Sequence, residues 1–345
     1  MQQKQRVRSL DDFRWIGAAL VVAIHTSPLE SVNGTADFLL TRVFARVAVP
    51  FFFMVTGFFL LADERNRKRN IVRAMRKNGI LYLLLTLLYL PIQCYKLFSS
   101  GGITQQTGTT ILRDIFFDGT FYHLWYFPAL LLGLPLAGLF LRLGKKNAAA
   151  VAGALYVFGM LGDSYYGITE RIPALKIIYD GLFSISSYTR NGLFFAPLFL
   201  ILGAVAADAY REERQWVHKW REAAICMAFL CGEGLILHHY GFQRHDSMYV
   251  ILPLEMVCLF GALLSVKGQE TPVSAFYEKG PMLIYFLHPY VIILLRGGVK
   301  LTHWTAFLSL SPLYYVTVLL GSAVLAWICV RAAGMVRKGK TAKRA

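Results

Sequence analysis

Arg14 and His25 stand eleven residues apart in the first apolar stretch of the chain, LDDFRWIGAALVVAIHT. Eleven α-helical steps of about 100° make three full turns plus roughly 20°, so both side chains leave one stripe of a helix, about 16 Å apart along its axis. In an apolar segment this puts a guanidinium near the membrane surface and an imidazole well inside the bilayer. Ionisable groups at that depth are costly and face a cavity or a partner. An imidazole so placed has the chemistry of a general base near neutral pH. The competing account is a histidine satisfied by a neighbouring helix.

Other polar groups interrupt the apolar pattern. Arg73 and Arg76 form an i, i+3 pair on one helical face. Three guanidiniums meeting at one level with Arg14 would bind phosphate groups, since arginine engages them bidentately; alone, the pair reads as topology charge. His123-Leu-Trp125-Tyr126-Phe127 opens a later apolar run. Aromatic anchoring at a membrane interface accounts for Trp125 and Tyr126, but not for His123. Tyr285-Phe-Leu-His288-Pro289 puts a further histidine beside a proline, which frees a backbone carbonyl and kinks a helix. Glu233 and Glu255 fall near the middle of apolar runs. They are protonated, paired with one another or with a histidine, or lining a wet path, and the residues alone do not choose. The five cysteines show no CxxC or Cys/His spacing, so structural thiols are expected and no metal site. No phosphate-binding loop, GxGxxG, HExxH or GxSxG occurs.

The elements that must position these residues are membrane helices. Fifty-six per cent of residues are hydrophobic and 16% charged, with a mean hydropathy of +0.48, outside soluble ranges. The expected fold is all-α and polytopic, a single domain over 1–345. Ten transmembrane helices are predicted at 13–29, 42–62, 79–98, 121–143, 147–162, 191–210, 222–240, 248–266, 280–297 and 306–331. Basic clusters recur at Lys4–Arg8, at Arg65–Lys77, at Arg142–Lys146, at Arg211–Arg221 and in the basic tail 332–345. The positive-inside rule puts these segments, and both termini, in the cytoplasm. The net charge of +16 is therefore mostly topology, and its scatter over short loops argues against nucleic acid as a partner. The stretch 163–190 is too apolar for a linker and is expected to pack as amphipathic or re-entrant helix.

Taken in order, these segments resemble the acyltransferase 3 family of integral membrane acyltransferases. LDDFR with His25 resembles its first-span signature, carried by Leu10, Asp11, Arg14 and His25. VPFFFMVTGFFL resembles its FFxxSGF segment, with Thr56-Gly57 where serine-glycine is common. Arg73 and Arg76 match its RxxR, HLWYF its HLWF-like segment, and YFLHP its YxxHP. Asn78-Gly79 departs from the proline often found after RxxR. The resemblance implies transfer of an acyl group, usually acetyl, from a cytoplasmic acyl-CoA cosubstrate to a hydroxyl on an envelope glycan. His25 would be catalytic and Arg14, Arg73 and Arg76 donor-binding. Asp11, His123, Trp125, Tyr285, His288, Glu233 and Glu255 are the supporting candidates. No bound cofactor is expected, and the setting implied is a bacterial cytoplasmic membrane.

VPFFFMVTGFFLL, TRNGLFF and the end KGKTAKRA also resemble the membrane half of the VanT-type, membrane-bound serine racemases of vancomycin-resistant bacteria. There the membrane domain precedes a cytoplasmic, pyridoxal-phosphate-dependent racemase domain and is associated with L-serine uptake. This likeness implies transport on an acyltransferase scaffold, with the basic tail as a linker to a C-terminal domain. Fold alone does not decide between the two.

Overall fold

The computed structural model describes residues 7–99, 101–104, 106–213, 219–266 and 273–342. Their regular structure is all helical. In order, the α-helices are α1 Arg8–Thr26, α2 Gly34–Phe38, α3 Ala48–Leu60, α4 Arg67–Ser99, α5 Thr107–Arg113, α6 Tyr126–Phe140 and α7 Lys145–Leu161. They continue as α8 Tyr166–Thr169, α9 Pro173–Ile185, α10 Ala196–Arg211, α11 Lys219–His239, α12 Leu252–Ser265, α13 Ala275–Thr302, α14 Ala306–Ser309 and α15 Ser311–Ala342. Each of the ten predicted intervals overlaps one of these helices. Five helical runs are long and apolar enough to cross a membrane: Gly34–Leu60, Arg67–Ser99, Tyr126–Leu143, Ala275–Thr302 and Ser311–Met335. The chain is a membrane protein. Lys4, Arg6, Arg214, Lys343 and Arg344 lie outside the described residues, as do the side chains of the basic tail from 336 onward.

Local chemistry accounts for where the elements begin and end. Helix α1 stops at Thr26 because Ser27 turns left-handed at φ 47° and is followed by Pro28, so the first helix ends three residues earlier than predicted. Asn33 caps α2 by accepting from the Ala36 N–H. The run from α2 to α3 is completed by a π-turn at Leu39–Val43 and a 3-10 turn at Phe44–Val47. The stretch 163–190 folds as two short helices, α8 and α9, the second with proline in its first turn.

The chain divides into two compact units, Met1–Ala48 with Leu263–Ala345, and Val49–Ala262. In the first unit, α1, α13 and α15 close on a dry core of Ala18, Val22, Ile284, Val291, Ile292, Val318 and Ala326. Trp15 fastens one end of it. Its Nε1 donates to the Tyr277 carbonyl at 3.1 Å and its ring meets Phe276 edge-on at 5.2 Å. At the other end Ser311 Oγ donates to the Pro28 carbonyl at 3.0 Å, and its partner Ser31 lies 2.9 Å away.

In the second unit, α6 packs on α4, α7 and α10. Helices α3 and α10 approach backbone to backbone. A Cβ on Gly57 would overlap the Leu200 carbonyl, and one on Gly203 would overlap the Met54 carbonyl. This contact gives the Thr56-Gly57 segment a packing role: only glycine leaves room for the neighbouring main chain.

Candidate functional site

The first unit brings His25 and His288 together. His25 sits in the last turn of α1, half-buried, and the α13 imidazole of His288 is fully buried. Their rings stack with centroids 5.3 Å apart and planes 20° from parallel. Helix α13 runs on through Pro281 and Pro289. Because Pro289 has no N–H, the Tyr285 carbonyl four residues earlier has no helical donor. The His288 ring hydrogen-bonds to that carbonyl and to the Ile284 carbonyl, the latter 3.2 Å from Nδ1. Two carbonyl acceptors require Nδ1 to carry the proton and leave Nε2 as the basic nitrogen. The Tyr285 ring lies 6.2 Å from His288. Tyr285, His288 and Pro289 thus act as a unit that fixes one imidazole against the other.

Arg14 lies three turns back along α1, half-buried, and its Nη1 donates to Asp11 Oδ1 at 2.6 Å. Asp11 is itself buried. The pair sits in the first turns of α1, where a carboxylate also meets the positive end of the helix. Nearby, the Arg8 guanidinium stacks on Tyr277 at 4.3 Å, and the Tyr277 hydroxyl donates to Asp12.

The remaining predicted residues belong to the second unit. Arg73 and Arg76 are exposed on α4 and form no ion pair among the described residues. His123 and Trp125 stand in the turn before α6 rather than in the helix predicted at 121–143. The cause is Gly119, whose φ of 87° reverses the chain and whose missing Cβ admits the Trp125 backbone. His123 is buried among the rings of Tyr89, Phe121 and Tyr122 at 5.0, 5.7 and 5.5 Å.

The two carboxylates separate. Glu233 accepts from the Tyr165 hydroxyl at 2.7 Å, from the Val250 N–H at 2.6 Å and from the Ile251 N–H at 3.0 Å. It pairs with neither Glu255 nor a histidine; it ties α11 to the backbone leading into α12. Burial and this carboxylate together hold the Tyr165 hydroxyl well above its ordinary range. Glu255 is only 2% exposed, and its Oε2 has no hydrogen-bond partner among the described residues.

A second polar centre escaped the motif reading. Asp163 is fully buried after α7, and its Oδ1 accepts from Ser247 N at 2.6 Å, Met248 N at 3.0 Å and Ser164 Oγ at 3.0 Å. Beside it the Arg190 guanidinium lies 4.9 Å over Trp125 and 4.3 Å over Tyr188, and its Nη1 donates to Ser247 Oγ at 3.1 Å. The sequence carried a trace of it in TRNGLFF, but nothing linked Arg190 to a carboxylate and a serine so far away along the chain.

Among the described residues no group of three His, Cys, Asp or Glu could hold a metal ion. Residues 7–331 match the Acyltransferase domain of the acyltransferase 3 family. Among curated proteins, the chain is 40% identical over 272 residues to an amino-acid racemase of Enterococcus faecalis, a match covering 78% of this chain and 37% of the relative. To another amino-acid racemase of that organism it is 37% identical over 349 residues, 98% of this chain and 48% of the relative. To a serine/alanine racemase of Enterococcus gallinarum it is 34% identical over 334 residues, 94% of this chain and 45% of the relative. The chain thus spans less than half the length of these curated relatives. No solved structure matches it. With the first-span Arg14 and His25, the Thr56-Gly57 contact and the Tyr285–Pro289 unit all in the order of the family's signature, the chain belongs to the acyltransferase 3 family.

Proposed function

We propose that this chain is a multi-pass protein of the bacterial cytoplasmic membrane, ten-spanning with both termini inside, that transfers an acyl group from acyl-CoA to a hydroxyl acceptor. The observation that carries this reading is the stacked pair of His25 and His288. His25 acts as general base. It takes the acceptor hydroxyl's proton as the oxygen attacks the thioester carbonyl, and the tetrahedral intermediate collapses by expelling the coenzyme A thiolate, which regains the proton from the imidazolium. His288, held by the Ile284 and Tyr285 carbonyls, is a positioning residue that keeps the His25 ring in one orientation. For the donor phosphates, the candidates for charge-assisted bonds are Arg14, steadied by Asp11 in the first unit, and, separately, the exposed Arg73 and Arg76 of the second.

His25→Ala tests this reading. Acyl transfer, or donor hydrolysis without acceptor, should be abolished while the melting temperature stays within a few degrees of wild type. A destabilised variant with unchanged turnover per folded molecule would remove the catalytic role. Calorimetry should likewise detect coenzyme A binding that weakens in Arg73→Ala and Arg76→Ala and with added salt.

A second reading is favoured by the names of the relatives, amino-acid racemase and serine/alanine racemase. In it the chain is the L-serine uptake domain of a bifunctional serine racemase in vancomycin resistance, and racemase chemistry with its pyridoxal phosphate belongs to a separate fused domain. Proteoliposomes holding the chain should then accumulate labelled L-serine. Uptake equal to empty vesicles, with folded protein present, rejects it.

A further inference from the structure

The Arg190 centre in the second unit is not used by either mechanism above. A guanidinium carries five N–H donors. Here only the bond from Nη1 to Ser247 Oγ is made, and Nε is buried with no partner among the described residues. Among the described residues no carboxylate lies within ion-pairing distance, although Asp163, Asp118 and Asp246 are close enough to act on the charge through space. A buried N–H such as Nε left unmatched is costly, although the Arg190 side chain as a whole is only half-buried. The rings of Trp125 and Tyr188 both lie against it. Asn191 Oδ1 accepts from the N–H groups of Leu193 and Phe194 at 2.9 and 3.1 Å, which fixes the adjoining backbone. The His245 ring lies 4.4 Å from that of Tyr188, tilted by 44°.

We propose that Arg190, beside Trp125 and Tyr188, is the receptor for the carboxylate of a small zwitterionic molecule of the amino-acid class. A guanidinium presents paired N–H groups that match a carboxylate edge on. A dianion such as phosphate would also meet the charge of Asp163, which lies one residue away through Ser247. A zwitterion brings no net charge, and its ammonium gains from the same carboxylate and from the aromatic faces. The proposal deepens the amino-acid reading and rests on it for the choice of L-serine as probe.

The test uses the full chain in lipid nanodiscs, with L-serine, L-serinamide and inorganic phosphate as separate probes in a binding titration. L-Serine should bind, L-serinamide should bind at least about tenfold more weakly, and phosphate should not compete. Arg190→Gln should weaken L-serine binding by about ten- to a hundredfold. Arg190→Lys should recover only part of it, because an ammonium lacks the fork. Equal binding of L-serine and L-serinamide overturns the site, as does wild-type affinity in Arg190→Gln or an absence of L-serine binding up to about 10 mM. If Arg190→Gln melts early, the L-serine and L-serinamide comparison on the unaltered protein still decides. Arg190-dependent binding without uptake retires transport and leaves the site standing; uptake indifferent to Arg190 does the reverse.

Discussion

His25 and His288 reach one another from two long helices, α1 and α13, whose apolar faces share a core with α15. Arg190 and Asp163 reach their places from the irregular chain before α10 and after α7, and they are held there by backbone amides and rings from segments more than fifty residues away. In the first unit the helix positions the chemistry, and the spacing along the chain already states where a side chain points. In the second, the tertiary fold positions it, and the local sequence says little. The same contrast divides the two glutamates: Glu233 is spent on holding turn backbone, whereas Glu255 is sealed into its helix with one oxygen unsatisfied.

Substitutions that attack the fold-positioned elements should therefore cost most. Gly57→Leu drives a side chain into the Leu200 carbonyl and should cost about 3 kcal/mol or more, seen as lost monodisperse protein in detergent. A well-behaved Gly57→Leu protein with the wild-type melting temperature would break the assigned α3–α10 contact. Asp163→Ala leaves the Ser247 and Met248 N–H groups without their acceptor, for a loss of about 2–3 kcal/mol in denaturant unfolding. Asp163→Asn keeps an acceptor oxygen and should recover part of that loss.

The glutamates sharpen the comparison further. Glu233→Ala strips three donors of their acceptor and should cost about 2 kcal/mol. Glu255→Gln replaces a carboxyl that satisfies little and should change stability by less than about 1 kcal/mol in either direction. Melting curves of the two variants side by side would reverse the assignment if Glu255→Gln proved the more damaging. Trp15→Phe, which keeps the packing on Phe276 but removes the bond to the Tyr277 carbonyl, should cost about 1 kcal/mol, the smaller share of that anchor.

Read by itself, the sequence determined the helical class, the membrane setting and the family, because hydrophobic period, charge bias and ordered motifs are properties of neighbours along the chain. It also identified Arg14 and His25 as members of one helix, and His288 as a histidine beside a carbonyl freed by Pro289, since 3.6 residues per turn and proline's missing N–H are local facts. It left open which partners the polar residues take. That His25 stacks on His288, that Glu233 binds backbone rather than Glu255, and that Arg190 lies against Trp125 and Tyr188 were decided only by the tertiary structure. Contacts such as Glu233 with Val250, 17 residues apart, and His25 with His288, 263 residues apart, depend on how helices pack, and packing couples every residue on a face at once. No window of sequence contains that information.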